Sequence, residues 1–405
     1  MRLIHTADWH IGQELHGFSR RFEHEAFLDW LYGQCRTLAP DALLIAGDVF
    51  HHANPANDAI EVFARFTERV LLTMPGLKIV AVAGNHDSPA RFDALRPLVR
   101  TGVHLIGAVP RLGEDYDIAR MLVGAGDGAI LAVPYLRLSD LPRGMPDDSP
   151  ADRVRAFYGA CWAQAGRFLR GAPCVVTGHL HVTGGVESES ERPILVGGEH
   201  AVPVGIFPAD AAYVALGHLH CAQSFDGGRI QYSGSPLPLS AAERTYKHQI
   251  VLLDVAKDGQ TKATGIPVPR AVPHLRVPEK RTVEPAKALD LLEWTAGELE
   301  LPGDLPVEQR PFVEVHLKLT APMPMAASQL AQDLARSKLP LRLVKVCVDL
   351  DGASDLARDA AARATNSKPA PGALFAQAFA MTHGGVEPGE PHRAAFLEAC
   401  EGIDA

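Results

Sequence analysis

LLIAGDVFHH, residues 43–52, runs apolar for four residues and then stops on Gly47, Asp48 and, three residues later, His51. A short, nearly continuous apolar run closed by a turn residue is the pattern of a strand buried on both faces. Such strands belong to layered α/β sheets, where ligands gather at the carboxyl ends. Four other segments share the layout. IHTADWH ends on Asp8 and His10, and IVAVAGNHD on Asn85, His86 and Asp87. VVTGHLH ends on His179 and His181, and YVALGHLH on His218 and His220. Gly47, Gly84, Gly178 and Gly217 precede four of the five polar ends, letting the chain turn sharply beside an ion or phosphate.

Outward from these segments the chain alternates strand and helix. Apolar runs at Arg2–Thr6, Ala42–Ala46, Lys78–Ala83, Cys174–Thr177 and Tyr213–Leu216 predict strands, as do Ala129–Pro134, Arg229–Tyr232 and Gln249–Val255. Arg20–Leu38, with Phe27, Leu31, Cys35 and Leu38 at helical spacing, predicts a helix. Ala56–Leu72, with Ala59, Phe63, Phe66 and Val70, predicts another. Alternation of this kind implies an α/β layered core flanked by helices, over residues 1–258. A Pro-punctuated stretch, Ile266–Pro278, then interrupts the pattern. A smaller α+β unit is expected over 266–350, from helices at Pro285–Leu299 and Ala326–Ala335 and strands at Phe312–Leu319 and Leu341–Asp349. Residues 351–371 lead through NSKPAPGA as a linker, and 372–405 form a helical tail with Phe375, Phe379, Phe396 and Leu397.

Composition narrows the class. The 405 residues are 47% hydrophobic and 21% charged, as in ordinary globular proteins of two or three domains. The N-terminus lacks a secretory pattern, and no apolar run reaches the ~18–20 residues of a bilayer span, so a cytoplasmic protein with no membrane contact is expected. The six cysteines make no CxxC pair and read as reduced thiols. A net charge of −9 disfavours a stand-alone DNA binder, because phosphate contacts call for a basic footprint. A DNA enzyme of this charge contacts its substrate locally, through metals, or with a partner's help.

Carboxylates, an amide carbonyl and imidazoles without thiolate suit Mn²⁺, Fe²⁺ or Zn²⁺. More donors are offered than one ion can use, and an Asp bridging two ions ~3.5–4 Å apart makes a site for in-line displacement at phosphorus. Each piece alone is weak, since a Gly-His pair is more often a turn with a surface histidine. The ordered set, each member ending a strand, carries the weight.

That ordered set is similar to the calcineurin-like metallophosphoesterase superfamily over about the first 240 residues. HTADWHIGQ, AFLDWL, AGDVF, AGNHDS, TGHL, YVALGHLH and YSGSPLPLS resemble the SbcD-type nucleases in particular. The resemblance implies a β-sandwich core with an α+β capping domain over the metals. It implies two Mn²⁺ per chain, with Mg²⁺, Fe²⁺ or Zn²⁺ as substitutes. One ion would be held by Asp8, His10, Asp48 and His220, the other by Asp48, Asn85, His179 and His218, with Asp48 as the bridge. His86 would face the phosphate and protonate the leaving 3′ oxygen, which suits an imidazole of near-neutral pKa. Asp87 would orient His86, and His51 would lie near the scissile phosphate. His181 is expected outside the ligand set. By the same resemblance the chain acts 3′→5′ on double-stranded DNA ends and endonucleolytically on single strands and hairpins. The tail would bind SbcC, an SMC-like coiled-coil ATPase, in a heterotetramer built on a homodimer. ATP belongs to that partner, as this sequence has no GxxxxGK[ST] loop. The helix Ala56–Leu72 is the candidate dimer contact.

Other residues take plainer readings. Trp9 and Trp30 are expected to pack, Arg20 and Arg21 to meet DNA phosphate or solvent, and His200, His248 and His316 have no constellation around them in the sequence. Two other functions remain open on the sequence alone: a small-molecule phosphodiesterase and a non-catalytic scaffold on the same fold.

Overall fold

The five apolar runs become strands of two six-stranded sheets. The protein is described by a computed structural model over residues 1–95, 102–113, 115–142, 148–188, 190–191, 201–320, 323, 325–350, 389 and 392. In the first sheet Arg2–Thr6, Ala42–Ala46, Lys78–Val82 and Val103–Ile106 run parallel. Gln249–Val255 and Thr261–Pro267 continue it antiparallel on the other side of Arg2–Thr6. The second sheet orders Gln223–Phe225, Ile230–Tyr232, Tyr213–Gly217, Cys174–His179, Gly128–Leu131 and Leu122–Ala125.

Period-two alternation divides the first sheet's side chains between two apolar layers. Leu3, Ala42, Leu44, Val80 and Val82 pack with Val175, Val176, Val214 and Ala215 of the second sheet. Ile4, Leu43, Ile45, Ile79 and Ala81 pack with residues of the helices Arg21–Leu38 and Asn57–Thr73, including Phe27, Leu31, Phe63, Phe66 and Val70. Trp9 joins this outer layer, its ring edge-on to Phe27, Phe63 and Phe66. The helix Pro150–Leu169 contributes Val154, Phe157, Tyr158 and Cys161 to the second sheet's core. The result is a two-sheet sandwich with helices flanking it, the α/β core expected from the sequence.

The chain divides into one unit of Met1–His274 with Pro306–Arg310, and a second of Leu275–Leu305 with Pro311 onward. The first unit passes residue 258 because Thr261–Pro267 is the edge strand of the first sheet. The second unit has a three-stranded sheet, His274–Val277, Phe312–Leu319 and Arg342–Leu350, in which the last two pair in parallel. Helices Pro285–Glu298 and Ala326–Ser337 cover one face, with Ala288, Leu292, Leu330 and Leu334 against Val313, Val315 and Leu317. On the other face His316 does have neighbours: its Nε2 lies 2.6 Å from Glu314 Oε1, to which Cys347 donates at 3.2 Å. The expected linker 351–371 lies outside the described residues, as does the tail 372–405 apart from Gly389 and His392. No helix among the described residues is long and apolar enough to cross a membrane.

His5 shows what the sandwich costs at low pH. It is fully buried between Tyr213 OH, 3.2 Å from Nδ1, and the Leu216 carbonyl, 3.2 Å from Nε2. Burial pushes its pKa down from 6.5 to about 4. The unfolded chain therefore takes this proton first, and stability falls as pH drops from 6.5 to about 4. The expected loss from this one group reaches about 3 kcal/mol. Calorimetry of the wild type and His5→Asn over that range should show a shallower acid limb for the variant. Parallel limbs would remove His5 from the account.

Candidate metal centre

Each polar strand end is fixed by backbone contacts that cross between segments. Asp8 N–H donates to Gly47 O at 3.0 Å, and His10 N–H to Asp48 O at 3.0 Å. The Asp8 carboxylate accepts from His218 N–H at 3.0 and 3.2 Å, joining the first strand to the second sheet. Asp48 Oδ1 accepts from His86 N–H at 2.9 Å. His179 Nδ1 donates to Ala46 O at 2.9 Å across the sheets. The close approach explains two glycines. A Cβ on Gly84 would overlap the Asp48 carboxylate, and one on Gly47 the His179 imidazole. Gly47 also has φ +100°.

Four non-glycine residues at these ends take positive φ: Asp8 at 55°, His10 at 46°, Asp48 at 50° and His218 at 101°. Each conformation costs about 1 kcal/mol or more, and such strain concentrates at functional sites. Here it turns carboxylates and imidazoles inward. Asp8, His10, Asp48, His86, Asp87, His179, His218 and His220 are all buried, and Asn85 and His51 half-buried.

Asp48 lies at the middle. Its Oδ2 is 3.5 Å from His10 Nε2 and 3.4 Å from His179 Nε2. Ligand-competent atoms of Asp8, Asp48 and His179 fall within 4.8 Å of one another, as do those of Asp8, His10 and His220. His179 Nε2 also meets Asn85 Oδ1 at 2.9 Å. The His218 ring stands 5.6 Å, centroid to centroid, from that of His179.

The donors fit a divalent cation. With Nδ1–H given to Ala46 O, the Nε2 of His179 faces only acceptors, Asn85 Oδ1 and Asp48 Oδ2. In the absence of a cation the ring must carry a second proton. Burial opposes that charge, but Asp48 and Asp8 outweigh it and raise His179 to about 9. Burial holds His10 neutral, its pKa well below 6.5, and its buried Nε2 has no hydrogen-bond partner. Burial lifts Asp8 to about 7, whereas for Asp48 the charge and hydrogen bond of His179 overcome burial and keep the carboxyl ionised. Lone pairs without protons, beside a held carboxylate, are what a metal requires.

The remaining sequence candidates separate. His86 sits beside His10, ring centroids 4.7 Å apart at 87°. Its Nδ1 donates to the His51 carbonyl at 2.8 Å. The orienting group expected at Asp87 is therefore the His51 backbone at this nitrogen. Asp87 accepts instead from the N–H groups of Val49, Phe50 and Gly84, at 3.2, 2.9 and 2.9 Å. A buried carboxylate needs such donors, and these tie the Asp48 loop to the Asn85 loop. The His51 ring approaches His10, Nδ1 to Nδ1 at 3.3 Å. His181 turns to Glu187, 2.6 Å from Nδ1 to Oε1. Arg20 meets neither DNA nor solvent: it is buried, paired with Glu23 at 2.6 Å and bonded to Gln13 and Pro238 O. His248 is bonded to the carbonyls of Ser235 and Glu243 at 2.9 and 3.1 Å.

Sequence reasoning missed Glu243, Glu191 and Ser190, which gather around His220. They lie in loops, where no strand end announces them. A Glu four residues after the PLPL of YSGSPLPLS was the one available signal.

Known proteins are similar to this chain in sequence. The family model for calcineurin-like phosphoesterases matches residues 1–222. The SbcD component of the nuclease SbcCD from Rhodobacter capsulatus is 40% identical over 395 residues, covering 94% of each chain. The protein of the same name in Bacillus subtilis is 38% identical over 278 residues, 64% of this chain and 67% of the other. Its Escherichia coli counterpart is 33% identical over 335 residues, 79% of this chain and 78% of the other.

Proposed function

Because this chain belongs to the SbcD-type nuclease subunits of the calcineurin-like phosphoesterase family, we propose that it hydrolyses DNA phosphodiesters with two Mn²⁺ ions. The observation carrying the proposal is the buried Asp48 carboxylate, 3.5 Å from His10 and 3.4 Å from His179, between two groups of donors. Asp8, His10, Asp48 and His220 would hold one ion, and Asp48, Asn85, His179 and His218 the other. When bound, the pair supplies Lewis acidity for the phosphate oxygens and lowers the pKa of a water.

The chain's own groups do the rest. With Nδ1–H fixed on His51 O, His86 presents Nε2 to a bound phosphate and delivers a proton to the departing 3′ oxygen. Asp87 holds the two loops that carry Asp48 and Asn85 in register. His51 sits at the rim, half-buried, where a phosphate oxygen can reach it. Cleavage proceeds 3′→5′ from double-stranded ends and internally at hairpins and single strands. The partner is SbcC, an SMC-like ATPase, which supplies the basic surface that a chain of net charge −9 lacks. Assembly as a homodimer within a heterotetramer, in the cytoplasm, completes the reading.

The test is direct. Purified chain is given Mn²⁺ and end-labelled duplex, hairpin or single-stranded DNA, with and without chelator. Mn²⁺-dependent cutting is expected. Turnover of a small phosphodiester with every DNA form left intact would move the chain to the small-molecule phosphodiesterases. Neither activity nor bound metal would make it a scaffold.

A further inference from the structure

Glu243 is a charged side chain with no exposed surface, and it sits at His220 rather than at any solvent-facing partner. It lies in the single turn Ala242–Thr245. A carboxylate there must be fully satisfied to be tolerated. Four donors do so. Leu239 N–H donates to Oε2 at 2.7 Å. His220 Nδ1 donates to Oε1 at 2.8 Å, and the hydroxyls of Ser188, at 2.6 Å, and Ser190 reach the same oxygen. The turn itself is pinned, since the Glu243 carbonyl accepts from Tyr246 N–H at 2.9 Å and lies 3.1 Å from His248 Nε2. The His220 backbone N–H is held separately, by Glu191 Oε1 at 2.7 Å.

Both ends of His220 are thus fixed by carboxylates, and the side-chain contact selects a tautomer. A proton on Nδ1, held by Glu243, leaves the lone pair on Nε2. That nitrogen is the one free to join Asp8 and His10. We propose that Glu243 is a positioning residue for one metal of the pair: it fixes the tautomer and ring direction of His220 and raises the basicity of Nε2. The inference rests on the proposed two-ion site and deepens it. Carboxylates behind a ligating histidine have this effect in metal sites generally, and losing one weakens binding by about 10–100-fold.

The experiment is Mn²⁺ titration calorimetry on the chelator-stripped full chain, comparing wild type, Glu243→Ala and Glu243→Gln. Glutamine keeps the shape but cannot accept from both His220 and Leu239, so it tests the same point if alanine fails to fold. The expected result is two ions on wild type, and in the variants one of them weakened about 10–100-fold with the other unchanged. Thermal melting of the metal-free proteins runs alongside. A folded variant that binds both ions as tightly as wild type overturns the inference. So does equal weakening of both ions with a lowered metal-free Tm, the mark of a structural role. Wild type that binds no Mn²⁺ overturns both this inference and the two-ion site. Wild type that binds two ions yet cuts no DNA sinks only the choice of substrate.

Discussion

His86→Ala is expected to slow DNA cleavage by about 10²–10⁴-fold while both metal ions stay bound. The imidazole and the backbone of this residue do separate jobs. Its N–H holds Asp48 Oδ1 at 2.9 Å, and alanine keeps that contact. Its ring is held by the His51 carbonyl at 2.8 Å and stands against the His10 ring. Nitrogens of His10, His51 and His86 lie within 4.8 Å of one another there, but His51 and His86 are outside the two proposed ligand sets. Removing the ring therefore takes away a proton donor and leaves the cluster's frame. The loss should appear in kcat, with the Mn²⁺ content of the purified variant unchanged. His51→Ala is the companion control: it keeps the carbonyl that orients His86, so its loss should be much smaller. Wild-type cutting by His86→Ala would exclude His86 as the acid. Loss of metal together with activity would instead give its ring a structural part in the cluster.

Much of the site can be read from the chain because its parts end strands. Ala42–Ala46 is apolar throughout since both faces of that strand are covered, one by the second sheet and one by helices. The next residue able to be polar is then the one that emerges at the carboxyl end, which is Asp48. The same logic points to Asp8, Asn85, His179 and His218. It does not reach groups that arrive sideways. Glu243 sits on a single turn after a Pro-rich loop, and its partner His220 is 23 residues away. Arg20 looks like an exposed helix start, yet it is buried against Glu23, the nearby Gln13 and the carbonyl of the distant Pro238. Edge strands escape for a related reason. Thr261–Pro267 is mostly exposed, so its sequence, TKATGIP, carries no apolar run for pairing to leave behind. Asp87 lies beside the cluster, but its partners are backbone amides, and nothing in GNHD tells a carboxylate that orients a histidine from one that ties two loops.

Asp48→Asn is the substitution with the largest expected effect, and it separates function from fold. The carboxylate's Oδ2 lies 3.5 Å from His10 Nε2 and 3.4 Å from His179 Nε2, while Oδ1 accepts the His86 amide. Asparagine has one acceptor oxygen for these two duties and brings an NH₂ that must point at imidazole lone pairs or at another N–H. It also removes the charge that both proposed ligand sets would share. Losing a positioning group costs about 10–100-fold in metal affinity, so losing the shared ligand should cost more than that for both ions at once. Mn²⁺ content should fall towards zero and DNA cleavage should drop below detection. The fold itself should survive at lower stability. Asp48 has φ +50°, a conformation asparagine tolerates better than most residues, and the wild-type carboxylate is buried close enough to Asp8 to raise that group's pKa. The variant relieves that repulsion but removes the anion whose pairing with His179 holds the Asp48 carboxyl well below the usual carboxylate range. A carboxylate held that way stabilises the folded state at neutral pH, so the metal-free Tm of the variant should lie below that of metal-free wild type with the fold retained. A variant that retains one tightly bound ion would show that the two donor groups do not depend on a common carboxylate.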